Sequence, residues 1–118
     1  MRLNAITRDH FENPRNAGPL ADPTHEARAT NPICGDFLTL QLRLAGDVIQ
    51  AAHFQAEGCA PTYAAASILT ERITGQTAGW ARSVGASDII GWLGGVPPGK
   101  EHAAALAAAV LHDALRLH

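Results

Sequence analysis

The chain is poor in cations and in thiols. It holds a single lysine, Lys100, and two cysteines, Cys34 and Cys59, among 118 residues. The arginines are scattered and the net charge is −2, which argues against nucleic acid, whose binding depends on clustered Lys and Arg. Long apolar runs are also missing: the longest, Ala103 to Leu111, is under half of the roughly 20 residues a membrane-spanning helix needs. The N-terminus lacks the charged-then-apolar layout of a secretory signal. Together these absences lead to the expectation of a cytoplasmic chain with no membrane and no nucleic-acid partner. In a reducing cytosol two cysteines serve as thiols more often than as a structural disulfide, although oxidation could still join them. What remains is apolar: 47% hydrophobic against 17% charged residues, a balance that suits a globular core.

Residues 4–13 have the pattern of a short helix capped by Asn4 or Thr7 and stopped at Asn13-Pro14, since the residue before proline avoids helical dihedrals. Residues 15–22 carry Asn, Gly and Pro and are expected to form a loop. A weak strand pattern over 26–30 precedes the clearest signal in the chain. Leu38, Leu40, Leu42 and Leu44 alternate with Phe37, Thr39, Gln41 and Arg43, the period of a half-buried strand. Ala45-Gly46-Asp47 is a hairpin turn, and the strand returns over 48–56 with Ala52, Phe54 and Ala56 on one face together with Val48. From Pro61 to about Thr74 the pattern is helical, with proline tolerated in the first turn. Two short helices, 77–84 and 87–93, each open on a hydroxyl cap. After a Gly/Pro break comes a long helix, 100–117, with Ala103, Leu106, Ala107, Val110, Ala114 and Leu117 at helical spacing. The expected architecture is α+β: a single domain over 1–118 with a three-stranded antiparallel sheet covered on one face by a block of helices.

The chemistry-bearing residues fall at the edges of these elements. Hairpin pairing sets Asp36, at the start of one strand, near Glu57-Gly58 at the end of the next, so Cys34 and Cys59 reach the same edge. Cys59 lies at or just before one helix N-terminus and His102 in the first turn of another. Unpaired N–H groups at such ends stabilise anions, and the thiolate is the form of cysteine that binds metals. Cys34, Asp36, Cys59 and His102 make a chemically sensible set for Zn²⁺ or iron. Spacing alone leaves blander roles open, because no Cys-x-x-Cys pair is present. A lone cysteine is more often a small buried hydrophobe, Asp36 suits a turn, and His102 suits a solvent-facing first turn. His10, His25, His53, His112 and His118 keep that blander role, and Tyr63, Trp80 and Trp92 suit core or interface. A Cys59 nucleophile with a His102 base is the rival chemistry. No pattern suggests a substrate pocket or an oxyanion hole, so the expectation is a protein that is not an enzyme.

Several stretches carry a resemblance. His10-Phe11-Glu12-Asn13-Pro14-Arg15-Asn16, Asn31-Pro32-Ile33-Cys34-Gly35-Asp36, Gly58-Cys59 with Ser67-Ile68-Leu69-Thr70-Glu71, and Pro97-Pro98-Gly99-Lys100-Glu101-His102-Ala103 run in the order of motifs found in the IscU/NifU-like family of iron–sulfur cluster assembly scaffolds, which the chain resembles along its length. The resemblance implies a scaffold on which iron and sulfide are combined and from which a cluster, [2Fe–2S] in type, passes to apo acceptor proteins. It implies a cysteine desulfurase as sulfur source, and Cys34, Asp36, Cys59 and His102 as ligands of cluster, iron or Zn²⁺. The aspartate keeps the cluster labile in that family, as a hard oxygen among soft donors would.

The sequence departs from the family pattern in three places, one of them Ala60-Pro61-Thr62-Tyr63 after Cys59, where the family usually has small polar residues. The family's third cysteine falls at Ala103, which has no ligating atom. That favours an alternative in which a degenerate, non-catalytic member binds the desulfurase or Zn²⁺ without building clusters. Val96 and Gly99 differ around the paired prolines, which implies that the family's contact with an Hsp70-type chaperone is weakened or lost here.

Overall fold

The computed structural model describes residues 2–32 and 35–116. The expected α+β architecture is present. Helix α1 (Ala5–Glu12) leads into strands β1 (His25–Asn31), β2 (Asp36–Ala45) and β3 (Val48–Glu57), followed by α2 (Ala60–Ile73), α3 (Ala78–Arg82), α4 (Ala86–Trp92) and α5 (Glu101–Ala114). The sheet is antiparallel throughout in the order β1-β2-β3. Leu38, Leu40 and Leu42 of β2 and Ala52 and Phe54 of β3 point into one core with α2 and α5, and all are essentially excluded from solvent.

The hairpin departs from simple alternation. Arg43 pairs with Ala51 but Leu44 pairs with Ile49, so β3 carries one extra residue at Gln50. Such a bulge reverses the facing of whatever lies beyond it. Val48, expected to share a face with Ala52 and Phe54, is therefore exposed, and Ile49 is buried in its place.

Caps explain most of the helix boundaries. Of the two expected caps for α1, Asn4 is used: its Oδ1 accepts from the Thr7 backbone N–H at 2.8 Å, while its Nδ2 donates to Leu93 O at 2.9 Å. Thr77 caps α3 as expected, accepting from Trp80 N at 3.1 Å. The expected Ser87 cap of α4 is not used. Gly85 takes the N-cap position, and Asp88 reaches back to accept from the Gly85 N–H at 2.8 Å. A carboxylate three residues inside the helix does the work of a hydroxyl cap, because either satisfies an orphan donor of the first turn. Helix α5 ends at Ala114 with Leu115 as its C-cap residue, short of the expected end at Leu117, which itself lies outside the described residues.

The loop after α1 is tied to α2 by a buried polar cluster. Arg15 N donates to Ser67 Oγ at 2.9 Å, which leaves the hydroxyl hydrogen for His10 Nδ1 at 2.8 Å. Thr70 Oγ1 accepts from Asn16 Nδ2 at 3.2 Å. The same loop lies along β3, where Gly18 N donates to Phe54 O at 2.8 Å and Phe54 N to Asn16 O at 2.9 Å, so part of the sheet edge is covered. His10 is thus a buried structural histidine, unlike the solvent-facing role expected for it. Burial, aided by the Arg15 charge and opposed by Glu71, pushes it below the ordinary histidine value of 6.5. The folded state favours the neutral ring. Its contribution to stability is therefore complete above about pH 6.5 and is lost as pH falls through the lower folded value. Thermal melts of metal-free protein should show a fall in melting temperature over this acid range, and His10→Asn should flatten that part of the profile. An unchanged slope in the variant would assign the acid sensitivity to other groups.

Candidate functional site

At the end of the sheet opposite the Gly46-Asp47 turn, β2 begins and β3 ends side by side, with Phe37 paired to Glu57. Asp36 opens β2 and is 3% exposed. One residue past the end of β3, Gly58 lets the chain turn into Cys59, the N-cap residue of α2, whose backbone is extended at φ −77° and ψ 167°. His102 is the second residue of α5 and brings its ring in from the other side. One ligand atom each from Asp36, Cys59 and His102 lie within 4.8 Å of one another. Cys34, the fourth expected donor, lies outside the described residues.

The contacts inside this cluster are specific. His102 Nε2 stands 3.1 Å from Asp36 Oδ2, and because a carboxylate oxygen only accepts, Nε2 carries the hydrogen in this contact. Thr62 Oγ1 donates to the same oxygen at 3.1 Å and lies 3.5 Å from Cys59 Sγ. Gly58 closes the other side. A Cβ built there would overlap Asp36 Oδ1 and stand 2.7 Å from its Cγ, at a φ of +156°.

Tetrahedral coordination with bonds of about 2.0–2.3 Å separates ligands by roughly 3.3–3.8 Å. The cluster needs only a small closure to reach that geometry, and its sulfur, nitrogen and oxygen donors suit zinc or iron. The donor set fits the metals expected from the sequence.

Gly58→Ala is expected to lower Zn²⁺ affinity roughly tenfold or more, because the new methyl displaces a carboxylate held by Thr62 and His102. Competition against a chromophoric chelator measures this, and unchanged affinity would mean that Asp36 is not needed in its present position.

Thr62 was not legible as a site residue: a hydroxyl after Cys-Ala-Pro reads locally as a helix-opening residue, and only the packing of α2 on β2 brings it to Asp36. Among the described residues, histidines outside the cluster make other contacts. His112 Nε2, for example, lies 2.6 Å from Val84 O. Trp80 and Trp92 stack at 6.3 Å, and Tyr63 meets Phe11 edge-on at 5.9 Å. Among the described residues no helix is long and apolar enough to cross a membrane.

Comparison with known proteins bears on the family and the fold. A family model described as the NifU-like N terminal domain matches residues 4–118. The iron-sulfur cluster assembly scaffold protein IscU of Aquifex aeolicus is 38% identical over 110 residues, covering 92% of this chain and 70% of that protein. The bifunctional protein NifU/MnmA of Rubrobacter xylanophilus is 43% identical over 108 residues, 90% of this chain but 22% of that protein's length. The crystal structure of an iron-sulfur cluster assembly scaffold protein for the SUF system from Fervidobacterium islandicum AW-1 superposes with a TM-score of 0.81 at 21% identity, covering 96% of each chain. That likeness concerns the fold. A further relative corrects the expectation of a chain that is not an enzyme. The zinc-dependent sulfurtransferase SufU of Bacillus subtilis is 41% identical over 71 residues, 60% of this chain and 48% of that protein. The lack of a substrate pocket or oxyanion hole was a poor guide here, because transfer of sulfur onto a thiol depends on thiolate character and access.

Proposed function

This chain belongs to the NifU-like N-terminal domain family, and on that premise we propose that it is a scaffold of iron–sulfur cluster assembly. Iron, a [2Fe–2S]-type cluster or Zn²⁺ is held through Cys34, Asp36, Cys59 and His102, and metal or cluster passes to apo acceptor proteins. The observation that carries this is the convergence of Asp36, Cys59 and His102 within 4.8 Å from three separate elements. A cysteine desulfurase supplies the sulfur, and a reducing compartment such as the cytoplasm keeps both thiols available. Residues 1–118 act as one domain.

Ala103 stands where the family pattern places a third thiol. It is fully buried in the first turn of α5, directly after His102. Two thiols, one imidazole and one carboxylate remain. That set favours a labile cluster or a single Zn²⁺, since a hard oxygen and an imidazole make up half of it. A second role rests on the zinc-dependent sulfurtransferase activity in the Bacillus relative's name; with alanine at 103, Cys34 or Cys59 would have to be the thiolate that accepts the sulfur.

Anaerobic reconstitution with iron and sulfide, alongside zinc titration, separates these roles. A scaffold gains visible absorption that is lost in Cys34→Ala. A sulfur acceptor stays colourless, holds zinc, and gains one sulfur atom in its mass spectrum after treatment with desulfurase and cysteine. Protein that binds neither metal overturns both roles.

A further inference from the structure

We infer that Thr62 is a positioning residue of this site, fixing the carboxylate of Asp36 against the thiol of Cys59 and so setting how well the pair holds a metal; this rests on the metal-site role proposed above. Thr62 is the third residue of α2 and completely buried. Its backbone N–H donates to Cys59 O at 3.0 Å, which anchors the residue to the turn carrying the thiol. Its hydroxyl faces two candidate ligands from different elements, 3.1 Å from Asp36 Oδ2 and 3.5 Å from Cys59 Sγ.

A hydroxyl has one hydrogen and two lone pairs. Given to Asp36 in a charge-assisted bond, that hydrogen goes to the stronger acceptor, and the oxygen lone pairs are left toward the sulfur. Helix α2 is thereby pinned to the first residue of β2 at the site itself. The side chain's β-branch restricts χ1, so the hydroxyl is held between the two groups.

Asp36 Oδ2 receives both Thr62 and His102. Were His102 to turn from that bond toward a metal, Thr62 would still hold the carboxylate. Hydrogen-bonded partners of ligating side chains usually change metal affinity about 10–100-fold when removed.

Three variants test this. Thr62→Val keeps the shape and removes the hydroxyl, Thr62→Ser keeps the hydroxyl, and Thr62→Ala provides the same comparison should valine disturb folding. The readouts are Zn²⁺ affinity by chelator competition and the visible spectrum of bound Co²⁺, whose bands report coordination geometry and thiolate ligation. Thr62→Val is expected to bind Zn²⁺ at least about tenfold more weakly with altered Co²⁺ bands, and Thr62→Ser to restore both. The loss should disappear in an Asp36→Ala background, where no carboxylate remains to be positioned; a purely structural threonine would cost the same in both backgrounds. Equal affinity and identical Co²⁺ bands in wild type and Thr62→Val overturn the inference alone. A folded wild type that binds neither ion overturns the metal-site role and the inference with it.

Discussion

Cys59→Ala is expected to weaken Zn²⁺ binding by about a hundredfold. Apparent binding free energies of about 10–16 kcal/mol for four-ligand zinc sites amount to roughly 3 kcal/mol per ligand, or about two decades of affinity. Asp36→Asn should lose less, since the amide keeps an oxygen where the carboxylate has one. The fold should survive the cysteine change: Cys59 is partly exposed and its side chain makes no helix-capping bond. Affinity is measured under reducing, oxygen-free conditions by chelator competition, with a melting curve as control. An unchanged affinity would mean that the metal sits elsewhere.

Phe54→Ala carries the largest expected loss of stability, about 3–5 kcal/mol. The ring is 2% exposed and lies in the core with Leu38, Leu40 and the inward faces of α2 and α5. Its backbone N–H and C=O both bond the 16–18 loop, with Leu40 of β2 opposite in register, so the cavity would open in the core beneath the covered edge of the sheet. Against an ordinary stability of about 5–15 kcal/mol, the melting temperature should drop by roughly 10–20 °C. A drop of only a degree or two would show that the core collapses around the gap.

The parts of the fold legible in the sequence were those set by periodicity. The leucine alternation of β2 fixed a strand and its face, and Ala45-Gly46-Asp47 fixed the hairpin, which in turn brought Asp36 beside Gly58. Helix starts at Asn4 and Thr77 were legible because a capping side chain acts on its own first turn. The bulge at Gln50 was not, because an extra residue in one strand shows only against its partner, and so Val48 and Ile49 exchanged faces. The Gly85–Asp88 cap of α4 was missed in favour of Ser87, where two capping solutions lay two residues apart.

The site divided along the same line. Asp36, Cys59 and His102 sit at element ends whose positions follow from the chain order, and their convergence was foreseeable. Thr62 and the buried His10–Ser67 pair depend on how α2 packs against β2 and α1. No local pattern encodes either contact.

Ala103 bears most directly on the site's chemistry. Its methyl is buried beside His102 in the first turn of α5, and a thiol there would add a third sulfur to the proposed set. The natural chain is therefore expected to hold a metal without that sulfur.

Metal and acid-labile sulfide content of anaerobically purified wild-type protein, beside Cys59→Ala and Ala103→Cys, tests it most directly. The expected result is roughly one zinc, or iron with matching sulfide, per wild-type chain, a loss to background in Cys59→Ala, and a more firmly held cluster in Ala103→Cys. A folded wild type free of zinc and iron, with only Ala103→Cys retaining metal, would contradict it.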